Sequence, residues 1–170
     1  LSTMAREERG FEEVLKETQE QGYAEADPSE DIDGIDTANK IRILLSLISN
    51  SYHAVAPFPI EGIRDITLQD IQYATELGYS VKLVGVIEQK DGVFNVSVHP
   101  ALVPKASLLG SLEGAYNGIE LEMEYGIVSG LVAPGAGTYP TADAVIKDLL
   151  DIAEGRTMPM PTSAEPIILG

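Results

Sequence analysis

Asp36 and Lys40 stand four residues apart in a segment with apolar residues at helical spacing. On a helix their side chains differ by about 40° around the axis, so they leave nearly the same face and can meet at one point. Residues 25–34 precede them and are rich in Asp, with Pro28 and Gly34 interrupting any regular period, which predicts an acidic loop. That loop can bring Glu25 and Asp31 toward the N-terminal end of the helix. One ammonium group would then be surrounded by several carboxylates, an environment that welcomes the ammonium of an amino acid. The plain alternative is a solvated loop with capping aspartates, followed by an i,i+4 surface pair worth roughly 0.3 kcal/mol. Spacing alone favours that alternative. His53 and His99 are too few and too distant in sequence to form a metal site by spacing, and both read as structural or exposed. No metal ligands are expected.

The elements that would hold these residues follow from periodicity. Phe11, Val14, Leu15 and Thr18 form one apolar stripe among Glu and Lys, predicting a helix that ends near Gly22. Tyr23 reads as packing beside the loop. A longer helix carries Ile35, Ala38, Ile41, Leu44, Leu45 and Ile48 to about Asn50, with Asp33 or Asp36 as cap or first-turn carboxylate. Thr67 and Asp70 resemble a capping box, opening a short helix with Ile71, Ala74 and Leu77 that stops at Gly78. Val81, Leu83, Val84, Val86 and Ile87, then Asp91-Gly92, then Val93, Val96 and Val98 predict two strands around a tight turn, with Lys82 facing outward. Alternating Ile119, Leu121 and Met123, followed by apolar residues 127–132, predict two more strands. Residues 134–140 read as a Gly-Pro loop, and Thr141 as the start of a last helix with Ala144, Val145, Leu149 and Ile152. The fold class expected is α+β, a mixed and largely antiparallel sheet packed against helices. One domain is expected over residues 1–155, with residues 156–170 as an extended tail holding Pro159, Pro161 and Pro166.

The 170 residues suffice for one domain with a real core. A formal charge of −16 repels phosphate backbones and anionic headgroups, so neither nucleic acid nor a membrane is an expected partner. The chain has no Cys, which removes disulfides, thiolate metal sites and a Cys nucleophile. No apolar h-region opens the chain, and the longest apolar run, residues 43–48, contains Ser46, so a cytoplasmic protein is expected. No strand, G-x-G-x-x-G turn and helix occur in series, so no dinucleotide-binding fingerprint is present.

Gly22-Tyr23-Ala24-Glu25-Ala26-Asp27-Pro28, then Asp31-Ile32-Asp33-Gly34-Ile35-Asp36, then Lys40, resembles the homoserine dehydrogenase signature. The likeness continues through Glu61-Gly62-Ile63, Asp70-Ile71, Leu77-Gly78, Val81-Lys82-Leu83-Val84-Gly85, Leu102-Val103-Pro104, Asn117, Gly135-Ala136-Gly137 and Pro140-Thr141-Ala142, covering roughly residues 1–152. The resemblance implies the catalytic and dimerisation half of an enzyme that interconverts L-homoserine and L-aspartate 4-semialdehyde with NAD or NADP, a step toward threonine, methionine and isoleucine. It implies Lys40 as the proton donor to the carbonyl oxygen and Asp36 as the group that orients it. It also implies Gly22, Glu25 and Asp31, with Asp36 and Lys40, as substrate-binding residues. Gly135, Ala136 and Gly137 match a glycine-rich loop near the nicotinamide end of the cofactor. Read without the family, that loop is a turn between a strand and a helix.

The family's nucleotide-binding half, which would bind most of the cofactor, another active-site lysine and the metal site of some members all lie ahead of the matched region. The chain is therefore expected to be a truncated or excised part. A regulatory module after residue 155 is not expected. Ala133 stands where the family has Gly, and Ala106-Ser107 where it more often has His-Pro. A small amino-acid substrate is the expected ligand, and antiparallel strands of two copies are expected to form a homodimer. The competing class is an acidic domain that only dimerises or binds amino acids. Convergence of Glu25, Asp36 and Lys40 would separate the two.

Overall fold

The computed structural model describes every residue except Tyr23, His53, Ala54, Thr157, Met158, Pro159 and Ala164, and of Ile127 only the backbone. The readings of Tyr23 and His53 therefore lie outside the described residues. In chain order the elements are helices α1 (Ser2–Glu7), α2 (Phe11–Glu20), α3 (Ser29–Ile32), α4 (Ile35–Ser49) and α5 (Leu68–Glu76), and strands β1 (Tyr79–Lys90) and β2 (Val93–Pro104). They continue as α6 (Leu108–Ser111), β3 (Tyr116–Met123), β4 (Ile127–Pro134) and α7 (Thr138–Ala153). The strands form two separate two-stranded sheets, β1-β2 and β3-β4, so the architecture is α+β. Asp91 (φ 53) and Gly92 (φ 81) join β1 to β2, the positive φ pair that a type I′ hairpin turn needs and that Asp-Gly supplies at low cost.

The chain packs as two compact units. The first comprises Leu1–Tyr23, Ile66–Lys82 and Leu102–Thr157. Its core joins Met4 of α1 and Val14 of α2 to Ile71 and Ala74 of α5 and Val81. Thr67 caps α5 by the anticipated box: its hydroxyl accepts from Asp70 N–H while the Asp70 carboxylate accepts from Thr67 N–H at 2.9 Å. In the β3-β4 hairpin Ile119 faces Leu131 and Leu121 faces Ser129. Lys82 is not an outward-facing strand residue: it is half-buried and its Nζ donates to the Leu112 carbonyl. Burial, opposed in part by Glu113, lowers its pKa from the ordinary lysine value. Helix α7 begins at Thr138 and not at Thr141. Pro140 sits in its first turn, where a missing N–H leaves no intrahelical bond unmade.

The second unit comprises Ala24–Asp65, Leu83–Ala101 and Met158–Gly170. Phe94, Val96 and Val98 alternate inward along β2 and meet Ala38, Ile41 and Leu45 of α4, together with Phe58. Each large side chain so buried contributes about 2 kcal/mol. Gly85 permits this packing: a Cβ there would lie 2.4 Å from Ile41 Cγ1. Two further segments lie along β2. Val98 N–H donates to Pro59 O at 3.0 Å and Glu61 N–H to Val98 O at 2.8 Å; Phe94 N–H donates to Ile168 O at 2.9 Å and Gly170 N–H to Phe94 O at 3.0 Å. Ile167 and Leu169 add to the apolar core. Among the described residues no helix is long and apolar enough to cross a membrane.

Candidate active site

In the second unit the acidic segment takes a definite shape. Asp27 accepts from the Ser29 backbone N–H at 3.1 Å and from its hydroxyl at 2.6 Å, an Asx turn that opens α3. These bonds, above all others, hold the Asp27 carboxyl below its usual range. Helix α3 carries Asp31 and buries Ile32 at its end. Gly34, at φ 80, then turns the chain into α4. Asp36 occupies the first turn of α4, where its charge suits the helix dipole, and the N-cap position is Gly34 with no side-chain cap bond. Asp33 serves instead as partner to Arg64.

One turn along α4, Lys40 Nζ meets Asp36 Oδ2, an ion pair whose side chains are about half exposed. Asp31, itself exposed, has its pKa raised, first by partial desolvation of its carboxyl, then by the charges of Asp36 and Glu25, with Lys40 opposing. Asp31 therefore feels the charges of the other three. The structure brings Glu25, Asp31, Asp36 and Lys40 into one electrostatic group in which a single ammonium stands among three carboxylates. Such a group attracts a cation and holds an ammonium where it can donate a proton.

Gly22 belongs to the first unit, in the turn after α2. There a cleft of about 790 Å³ is lined by Gln21, Gly22, Ala136, Gly137, Thr138 and Thr141, with Val145 and Ile146 of α7. Gly135 and Gly137 of this loop are required for different reasons. Gly137 has φ 119, a conformation side chains rarely adopt. Gly135 is not among the lining residues: a Cβ there would lie 2.1 Å from Asn117 Nδ2, so it is small in order to pack on Asn117. Gln21 and Thr138 in the cleft, and Arg64 beside the acidic turn, are not evident from the sequence. Nothing periodic marks the first two, and Arg64 lies 31 residues from its partner Asp33. His99 is half-buried, with Nδ1 at 3.2 Å from Pro100 O. No group of His and carboxylates suited to a metal ion occurs among the described residues.

Comparison with known proteins places this arrangement in a family. Residues 1–150 match the family model described as homoserine dehydrogenase. A homoserine dehydrogenase of Neisseria gonorrhoeae is 39% identical over 153 residues, covering 90% of this chain and 35% of the relative. The crystal structure of a homoserine dehydrogenase from Thiobacillus denitrificans superposes with a TM-score of 0.85 at 34% identity, covering 99% of this chain and 42% of that one. One from S. aureus gives a TM-score of 0.79 at 37% identity, covering 93% and 40%. The chain thus spans about 35% of the length of the curated relatives it matches. With a family match over most of its length, and a charged group and a glycine-containing cleft at the positions that carry the likeness, the chain belongs to the homoserine dehydrogenase family.

Proposed function

We propose that this chain carries the substrate-handling part of a homoserine dehydrogenase, acting in the cytoplasm to interconvert L-homoserine and L-aspartate 4-semialdehyde with NAD or NADP. In this reading residues 1–155 are the catalytic and dimerisation domain and residues 156–170 a tail. The observation that supports it is the Lys40 ammonium held by Asp36, beside an Asp31 carboxyl that feels Lys40, Asp36 and Glu25. The substrate's own ammonium is attracted by Glu25 and Asp31, and its binding would offset the desolvation, and then the repulsion from Asp36 and Glu25, that raise the Asp31 pKa. In the reducing direction negative charge grows on the aldehyde oxygen as the carbonyl carbon accepts a hydride. Lys40 Nζ stabilises that oxygen and passes it a proton, giving the hydroxyl of homoserine. In the oxidising direction Lys40, as the neutral amine, takes the hydroxyl proton back. Asp36 keeps the lysine nitrogen in place through both.

The chain's fit to a nicotinamide cofactor is partial. Ala136, Gly137 and the Gly22 backbone make a wall without bulky side chains, beside the Thr138 and Thr141 hydroxyls, and Val145 and Ile146 offer apolar surface. These are suited to the flat nicotinamide end, and Gly135 supports the loop from behind through Asn117. The cofactor, when bound, supplies or accepts the hydride. The residues of this chain show no G-x-G-x-x-G turn for its pyrophosphate.

Homodimerisation through the β3-β4 strands is the partner reading we favour. Leu121, Met123, Val128 and Leu131 are each at least two-fifths exposed, more apolar strand surface than an isolated copy would be expected to leave in water. Nucleic acid and membranes are not proposed partners, given the charge of −16. Calorimetry of the chain with L-homoserine tests the substrate reading. Binding should be saturable in the wild type and weakened at least about tenfold in Lys40→Ala and in Glu25→Gln, the loss of one charged contact. Equal affinity in all three would contradict it.

A further inference from the structure

Residues 62–64 meet the acidic turn in three consecutive ways, all within the second unit. Gly62 has no room for a side chain: a Cβ there would lie 2.2 Å from Ile32 O and 2.5 Å from Asp33 Cα. Ile63 N–H donates to the Ile32 carbonyl at 2.7 Å. Arg64 then holds Asp33 with both arms of its guanidinium, Nε to Oδ1 at 3.0 Å and Nη2 to Oδ2 at 2.9 Å. The residues received by this clamp are the last of α3, which carries Asp31, and the one after it. Gly34 then leads into α4, with Asp36 and Lys40.

A bidentate Arg–carboxylate fork fixes direction as well as charge, which a lysine cannot do. Of the three contacts it is also the one made by a side chain, so it can be altered without disturbing the backbone. We propose that Arg64 is a positioning residue for the substrate-binding carboxylates: by clamping Asp33 it sets where Asp31 stands relative to Glu25, Asp36 and Lys40, and so sets the affinity for the substrate ammonium. This rests on the reading of the site given above. Arg64 acts through Asp33 and not by contact with substrate. Because the Arg64 and Asp33 side chains are 51% and 38% exposed, their pair adds little to overall stability. Its effect belongs in recognition.

The test is calorimetry of the chain with L-homoserine, with melting curves alongside, for the wild type, Arg64→Gln, Arg64→Lys, Asp33→Asn and the double variant Arg64→Gln/Asp33→Asn. Arg64→Gln and Asp33→Asn should each weaken binding roughly three- to tenfold, with the melting temperature unchanged to within about 2 °C. Arg64→Lys should lose part of that, keeping the charge without the fork. The double variant should be no weaker than either single one, as expected for residues that act as a pair. Wild-type affinity in Arg64→Gln, or additive losses in the double variant, would overturn the inference while leaving the substrate reading intact. Absence of L-homoserine binding by the wild type would instead sink the substrate reading, and the inference with it.

Discussion

At the scale of single residues, Asp31 reports most directly on what the acidic group is for. Its folded-state pKa lies above the ordinary 3.8, raised by partial burial and then by Asp36 and Glu25. Between 3.8 and the folded value the native state binds more protons than the unfolded chain, so stability falls as pH rises through that window. A bound ammonium reverses the preference by favouring the carboxylate. L-homoserine should therefore bind more tightly as pH rises through the window above 3.8, with proton release confined to that window. Calorimetry in two buffers of different ionisation heat measures this release, and Asp31→Asn should abolish it. Release unchanged in Asp31→Asn would place the proton elsewhere. The Asp36–Lys40 pair was legible from sequence because the helical repeat alone brings residues four apart together. The Arg64–Asp33 fork was not, since its register depends on how residues 62–64 lie on α3. The tight packing of Gly135 on Asn117, which leaves no space for a Cβ, was not legible either, because the two are far apart in sequence.

At the scale of elements, legibility followed length and turn chemistry. Helices α2, α4 and α5 carry whole apolar periods, and the β1-β2 hairpin carries an Asp-Gly turn, so their existence could be read directly. Helices α1 and α6 escaped because six and four residues are too few to show a period; α1 is fastened by one buried residue, Met4. Helix α7 starts three residues before Thr141 because proline is tolerated in a first turn, so Pro140 is helical although its residue type suggests a loop. The packing of α4 on its hairpin makes a sharp prediction at Gly85. A valine there would push into Ile41, and overpacking of this kind costs about 1–3 kcal/mol. Gly85→Val should lower the melting temperature by several degrees, and pairing it with Ile41→Ala should recover part of the loss. A melting curve unchanged by Gly85→Val would show that α4 does not press on β1 as described.

At the scale of the whole molecule, an acidic chain with a charge of −16 leaves a large apolar surface uncovered. Leu131 is 65% exposed on β4, and α7, sixteen residues long, has no buried side chain. If β3 and β4 meet their copies in a dimer, sedimentation at about 10 μM should give twice the monomer mass, and Leu131→Asp should return it to the monomer. A wild-type monomer would remove the dimer from the account. If this chain performs the substrate half of homoserine oxidation, as proposed, it should support turnover once a nucleotide-binding part is supplied. The chain would be joined to the part of the Neisseria gonorrhoeae relative that the match leaves uncovered, and L-homoserine-dependent reduction of NAD or NADP measured. Turnover is expected in this chimera and, in its Lys40→Ala form, a loss of at least about a hundredfold. A folded chimera without turnover, beside an active control carrying the relative's own matched segment, would contradict the proposal.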